Sequence, residues 1–173
     1  MGLKKLLLVF ITQSFLLFSA SAQQTASPCP CCDEAYHQFD FWVGDWVVYS
    51  KGKMAGFNKI NKIEGGCIIR ENWKSVGSSY TGTSYNFYDK VDQKWNQVWV
   101  DNLGSVLKLT GEFKDKQMIL ISEEKLDANG KRVINKITWT NNPDGTVNQL
   151  WEVSEDSGIS FSILFDGLYR KRK

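Results

Sequence analysis

From residue 42 to residue 170 the chain reads as short runs of alternating apolar and polar positions, and a two-residue period marks strands with one face buried. About ten such runs can be delimited: 42–50, 54–63, 67–76, 81–88, 94–101, 105–113, 117–124, 132–140, 146–153 and 159–170. Between them stand Lys51-Gly52, Gly65-Gly66, Gly77-Ser78, Asn102-Leu103-Gly104, Asn129-Gly130, Asp144-Gly145 and Asp156-Ser157-Gly158, which supply residues that tolerate the positive φ of tight turns. No amphipathic helix of ordinary length interrupts the series. Connections this short join neighbours in antiparallel fashion, so the pattern predicts an all-β up-and-down meander. An open sheet of this size would expose two unpaired edges, and closure removes them, which favours a closed barrel over a sandwich.

Alternation also sorts the faces of several strands. Cys67, Ile69, Glu71 and Trp73 share one face; so do Trp95, Gln97, Trp99 and Asp101; so do Asn135, Ile137 and Trp139, and Val147, Gln149, Trp151 and Val153. Their neighbours Arg70, Asn72, Lys74 and Lys136 suit a wet outer face. The inner face is therefore expected to mix indoles with Glu71, Gln97, Asp101, Asn135 and Gln149. Runs 105–113 and 117–124 carry aliphatics on both faces and resist sorting.

Ahead of the strands, residues 1–22 have Lys4 and Lys5, an apolar run from Leu6 to Phe18, and Ala20-Ser21-Ala22, the layout of a cleavable secretory signal. The apolar run is broken by Thr12, Gln13 and Ser14 and is short for a membrane span, so no membrane insertion is expected once the signal is removed. The leader holds two of the 21 basic residues and no acid, which leaves 19 of each sign. A neutral chain with interspersed charges excludes nucleic acid as an expected partner, because phosphate binding needs a clustered basic surface. About 150 residues remain, enough for one domain with a sizeable core.

Residues 23–37 are polar and punctuated by proline, and read as a flexible linker ahead of a barrel domain at 38–173. The linker holds three of the four cysteines, Cys29, Cys31 and Cys32; the fourth is Cys67. In an oxidising compartment the expected bridge joins Cys67 to Cys31 or Cys32 and tethers the linker to the barrel. Closing a loop of about 35 residues in this way is worth roughly 3–4 kcal/mol. A Cys29-x-x-Cys32 redox pair would need a helix beside a βαβ unit, which does not follow. A soft-metal site using these thiols and His37 lacks a standard spacing, and oxidation would remove its thiolates; no metal and no cofactor are expected.

The densest aromatic stretch, Phe39-Asp40-Phe41-Trp42-Val43-Gly44-Asp45-Trp46, precedes the first full strand. With Arg170 near the end of the last run, Gly44-Asp45-Trp46 resembles the Gly-x-Trp and late arginine of the calycin barrels, which include lipocalins, fatty-acid-binding proteins and nitrobindin-like heme barrels. That resemblance implies that Trp46 packs across a closed end, that Arg170 stacks on it, and that the segment before it forms a plug. More of the chain, from about residue 38 to 171, resembles an uncharacterised family of secreted bacterial proteins. The stretches that carry this are the same Phe39 to Trp46 segment, Gly65-Gly66-Cys67, Glu71-Asn72-Trp73, Tyr88-Asp89, Trp95-Asn96-Gln97-Val98-Trp99-Val100-Asp101, Ile137-Thr138-Trp139, Asp144-Gly145, Gln149-Leu150-Trp151-Glu152 and Phe165-Asp166-Gly167-Leu168-Tyr169-Arg170. It implies a calycin-like fold and secretion, to the periplasm or the exterior, and no particular activity.

Heme would need a ligand, and the single histidine, His37, stands at the aromatic stretch rather than on a late strand; it is expected to start a helix or to pack. Asp101 opens a turn and is expected to cap it, while Glu152 alternates outward from Trp151. That leaves Glu71 as the one interior acid, short of a carboxylate pair, and no Gly-x-Ser-x-Gly elbow is present. The tryptophans divide as well: Trp42 and Trp46 read as core, whereas Trp73, Trp95, Trp99, Trp139 and Trp151 each have a polar neighbour two positions away. Buried polar groups need partners, in each other, in water or in a ligand. The expected function is non-catalytic binding of a small hydrophobic or amphipathic molecule, with Glu71, Trp73, Trp95, Gln97, Trp99, Asn135, Trp139, Gln149 and Trp151 around it. The alternatives are an interaction module with a packed interior that binds a polymer or protein through outer strands and loops, and an isomerase or hydrolase built on Glu71.

Overall fold

A computed structural model describes residues 29–127 and 129–173. The leader at 1–22 and the first residues of the linker lie outside the described residues. Eleven strands follow two short 3-10 turns, Glu34–His37 and Asp40–Trp42. They are β1 (Gly44–Ser50), β2 (Lys53–Ile63), β3 (Ile68–Ser75), β4 (Thr81–Asp89), β5 (Lys94–Asp101), β6 (Val106–Lys114), β7 (Gln117–Ile121), β8 (Lys125–Leu126), β9 (Arg132–Asn141), β10 (Val147–Ser154) and β11 (Ser162–Lys171).

Ten of these pair in sequence order, each antiparallel to the next, and β11 returns to β1 to close the barrel. β8 stands outside the ring as a two-residue partner of the start of β9. Because the run 117–124 ends at Ile121 as barrel strand, it splits into β7 and the approach to β8. The run 159–170 starts late, at Ser162, because Asp156 accepts from the Ser154 hydroxyl and from the amide and hydroxyl of Ser160 and holds the segment in a turn. Residues 42 and 43 belong to the plug rather than to a strand.

Two register shifts interrupt the ladders, one between β1 and β2 at Val48/Tyr49 and one between β10 and β11 at Trp151/Glu152. A bulge adds an unpaired residue and re-aims the side chains beside it. The residues left over are Ala55 and Leu164, and both reach the barrel interior at the same end.

The opposite end is shut by the aromatic stretch. Phe39 stacks on Trp42 at 4.9 Å between ring centroids and meets Trp95 and Trp139 edge-on at 5.7 and 5.2 Å. Trp46, buried completely, donates its indole N–H to the Trp42 carbonyl at 2.8 Å and packs on Tyr169. Rings of this size each bury 150–250 Å², which makes this end the energetic centre of the core. Below it Lys62 donates to Asp40 at 2.7 Å, and His37, which ends the first turn, bonds Asp40 as well.

The cation on Trp46 is not Arg170. Trp46 stands opposite Lys171 in the β1–β11 register, and Val47 stands opposite Arg170. Paired residues share a face, so Lys171 turns inward and sits 5.2 Å over the Trp46 ring. Arg170 turns outward and lies over Tyr49. The parity of one residue decides it.

Both disulfides lie at the closed end: Cys31 joins Cys67, 36 residues away, and Cys29 joins Cys32. Of the two partners open to Cys67, Cys31 is the one used. The described part of the linker is packed: Cys31 and Tyr36 are buried, and Tyr36 meets Tyr88 edge-on at 5.4 Å.

Candidate functional site

Away from the plug the barrel interior opens into a cavity of about 380 Å³. Its walls come from strand ends remote from Trp46. Trp73 on β3, Trp99 on β5, Trp151 on β10 and Phe165 on β11 supply aromatic faces, and Ala55, Leu107, Ile137 and Leu164 fill the gaps between them. Glu71, Gln97, Gln149 and Tyr169 reach in one or two positions deeper, and Ser75 and Tyr80 stand towards the mouth.

The aromatic walls lie flat because glycines stand beneath them, on the neighbouring strand for Trp99 and Trp73 and two residues along the same strand for Phe165. A Cβ on Gly82 would come within 2.1 Å of the Trp99 ring, one on Gly56 within 2.7 Å of Trp73, and one on Gly167 within 2.4 Å of Phe165. None of the three needs a special backbone; each is a matter of space. The indole N–H groups are held too. Trp73 donates to Ser75 Oγ and Trp151 to Asn135 Oδ1, both at 2.9 Å. At the mouth Tyr80 donates to Asp101 at 3.1 Å, while Asp101 also accepts from the Leu103 and Ser105 amides, the turn-capping role read from its position.

The floor is a continuous hydrogen-bond network. Glu71 accepts from Asn58 Nδ2 and from Ser84 Oγ, both at 2.6 Å. Asn58 also donates to the Tyr169 hydroxyl at 3.3 Å, and that hydroxyl donates to Gln149 Oε1. On the other side Asn86 donates to Ser84 and to the Ile69 carbonyl, and Gln97 donates to Asn86 at 2.8 Å. Pairing brings these groups together: Glu71 stands opposite Ser84, Ile69 opposite Asn86, and Asn86 opposite Gln97.

Burial pushes the Glu71 carboxyl from its ordinary 4.5 up to about 7, although the hydrogen bonds from Ser84 and Asn58 pull the other way. Desolvation wins because a carboxylate here loses nearly all its water. Tyr169 is held well above the usual tyrosine value by burial and then by the Glu71 charge. Tyr80 is raised by burial, then by its bond to Asp101 and that residue's charge. Asp101 is raised by partial burial but pulled further down by bonds from Ser105, Leu103 and Tyr80, and ends below the ordinary value.

Six of the nine side chains singled out in the sequence meet in the cavity: Glu71, Trp73, Gln97, Trp99, Gln149 and Trp151. Three do not line it. Trp95 and Trp139 point inward but lie in the plug core against Phe39, with Trp95 donating to Gln38. Asn135 acts through Trp151, as the acceptor for its indole. Glu152 faces outward and pairs with Lys136 at 2.9 Å. The thiols considered for redox or metal chemistry are all taken up in the two disulfides.

Sequence patterning missed Asn58, Ser84, Asn86 and Tyr169. On β4 the outward residues, Tyr85 and Phe87, are more apolar than the inward Ser84 and Asn86, so hydrophobicity points to the wrong face. Only the register with Glu71 on β3 and Gln97 on β5 identifies the inner side. For Tyr169 the signal was present, in its alternation with Arg170.

Fold and site together define a closed antiparallel barrel, plugged with aromatics at one end and holding an aromatic-walled cavity with a polar floor at the other. Comparison with known protein families and with curated proteins finds no match for the chain.

Proposed function

We propose that the protein is a secreted, calycin-type barrel that binds a small hydrophobic or amphipathic molecule at its open end, without catalysing a reaction. The observation that carries this reading is the cavity itself: about 380 Å³ of space walled by Trp73, Trp99 and Trp151 and floored by Glu71, Gln97 and Gln149. Ligand pockets are mostly apolar with a few convergent polar groups. A barrel serving only as an interaction module would fill this space with side chains, as the other end does. Secretion is supported by the leader pattern of residues 1–22 and by two disulfides, which persist in oxidising compartments. The calycin assignment is supported by the Gly44-Asp45-Trp46 entry into β1 and by the closure of the meander on itself.

A catalytic role would ask Glu71 to work with a second titratable group at neutral pH. The cavity offers only Tyr80 and Tyr169 beside it, both raised above the usual tyrosine value. The test is a screen of purified protein against fatty acids, porphyrins and small glycans, read by tryptophan fluorescence and melting temperature. Saturable changes in both are expected from at least one class; flat responses throughout would contradict binding.

A further inference from the structure

The cavity has an unbalanced charge inventory. Glu71 is the one acid among its lining residues, and no Lys, Arg or His lines it. The two other titratable lining groups, Tyr80 and Tyr169, stay neutral. Asp101, on Tyr80 at the mouth, adds a second negative charge on the entry path. Glu71 receives a single hydrogen bond on each oxygen, which leaves a carboxylate's further lone pairs free. Around this acid stand the faces of Trp73, Trp99, Trp151 and Phe165, whose quadrupoles attract a cation and do nothing for an anion.

From this geometry we infer that the ligand is an organic ammonium: an apolar or aromatic body ending in a cationic nitrogen that seats against Glu71 inside the aromatic walls. The inference rests on the proposed binding role of the cavity and names the chemistry it selects. A carboxylate ligand would meet the Glu71 and Asp101 charges with no cation to receive it, and desolvating two like charges together is costly. A neutral alcohol would bury its apolar part equally well but would leave the acid unpaired. The empty site holds its carboxyl near neutrality, with a value of about 7; an adjacent ammonium favours the charged form, so binding at that pH should expel a proton.

Three probes of matched shape separate these cases: 2-phenylethylammonium, 2-phenylethanol and 3-phenylpropanoate, titrated at pH 8 by tryptophan fluorescence. The ammonium is expected to bind about tenfold or more tighter than the alcohol, with the carboxylate weakest. Glu71→Gln keeps the shape of the side chain, and in it the ammonium should fall to the level of the alcohol. Calorimetry of the wild-type protein at pH 7 in buffers of different ionisation enthalpy needs no variant and should show release of about half a proton per ammonium bound. Equal or tighter binding of the alcohol or carboxylate, an ammonium preference that survives Glu71→Gln, or no proton release would each overturn the inference. If none of the three binds while a fatty acid, porphyrin or glycan does, the ammonium assignment fails and the binding role stands; if nothing binds, both fail.

Discussion

The two ends of the barrel use the same residue for different purposes. At the plugged end Trp42, Trp46, Trp95 and Trp139 are packed ring against ring and almost wholly buried. Two of their indole N–H groups, on Trp42 and Trp139, are buried without a partner. The cost of each, about 1–3 kcal/mol, is offset by the apolar area that a whole indole removes from water. At the open end Trp73, Trp99 and Trp151 are only partly covered, lie flat over glycines or beside polar groups, and enclose space. An indole is core where neighbouring side chains cover it on every side, and a wall where one face is left open.

That contrast can be broken most severely from the plug. Trp46→Ala should lower stability by about 3–5 kcal/mol, the usual cost of truncating a buried aromatic, while any ligand affinity, measured where the variant is still folded, stays close to the wild-type value. Denaturant unfolding beside a binding titration checks this. A Trp46 variant of full stability and lost binding would dissolve the division between the two ends.

A slightly smaller effect is expected from the floor of the cavity. The folded-state value of Glu71, about 7, lies above the ordinary 4.5, so the folded protein holds this proton more tightly than the unfolded chain. The resulting stabilisation is complete below pH 4.5 and is lost as the pH rises through 7, a span worth about 3 kcal/mol. Glu71→Gln removes the loss: the variant should match the wild type at pH 4 and exceed it by up to about 3 kcal/mol at pH 8. Unfolding curves at the two pH values measure the difference, and a variant weaker than the wild type at pH 8 would show that the ionised carboxylate is needed for the fold.

The smallest change is Gly82→Ala. Its Cβ would fall 2.1 Å from the Trp99 ring, so the indole must swing into the cavity. A stability loss of about 1–3 kcal/mol is expected from such overpacking, with a shifted tryptophan emission and weakened ligand binding. Unchanged emission and binding would mean that the wall does not depend on that glycine.

The sequence made the barrel legible because its turns are chemically explicit and its strands alternate. The ten runs correspond to the ten barrel strands, with the largest errors, three residues each, at the end of β7 and at the start of β11, where the Asp156 turn delays the strand. Part of the site was legible for the same reason: Glu71 and Trp73, Gln97 and Trp99, Gln149 and Trp151 are each an indole and a polar group two residues apart. Alternation says which face a residue is on but not how high it stands along the barrel axis. Trp95 and Trp139 obey the same rule as Trp99 and Trp151 yet sit in the plug. Height depends on how the strands are staggered around the ring, which no single strand encodes. The exchange of Arg170 for Lys171 on Trp46 has a related cause, since adjacent residues of a terminal strand differ only in parity.

One spectrum would test the division of the barrel directly. The seven tryptophans each give one indole N–H signal in a proton–nitrogen correlation spectrum, and these can be followed while a compound that binds is added. The signals of Trp73, Trp99 and Trp151 should move in a saturable way, while those of Trp42, Trp46 and Trp139 stay within a line width. Movement led by the plug indoles, or no movement at any indole with every compound tried, would contradict a ligand site at the open end.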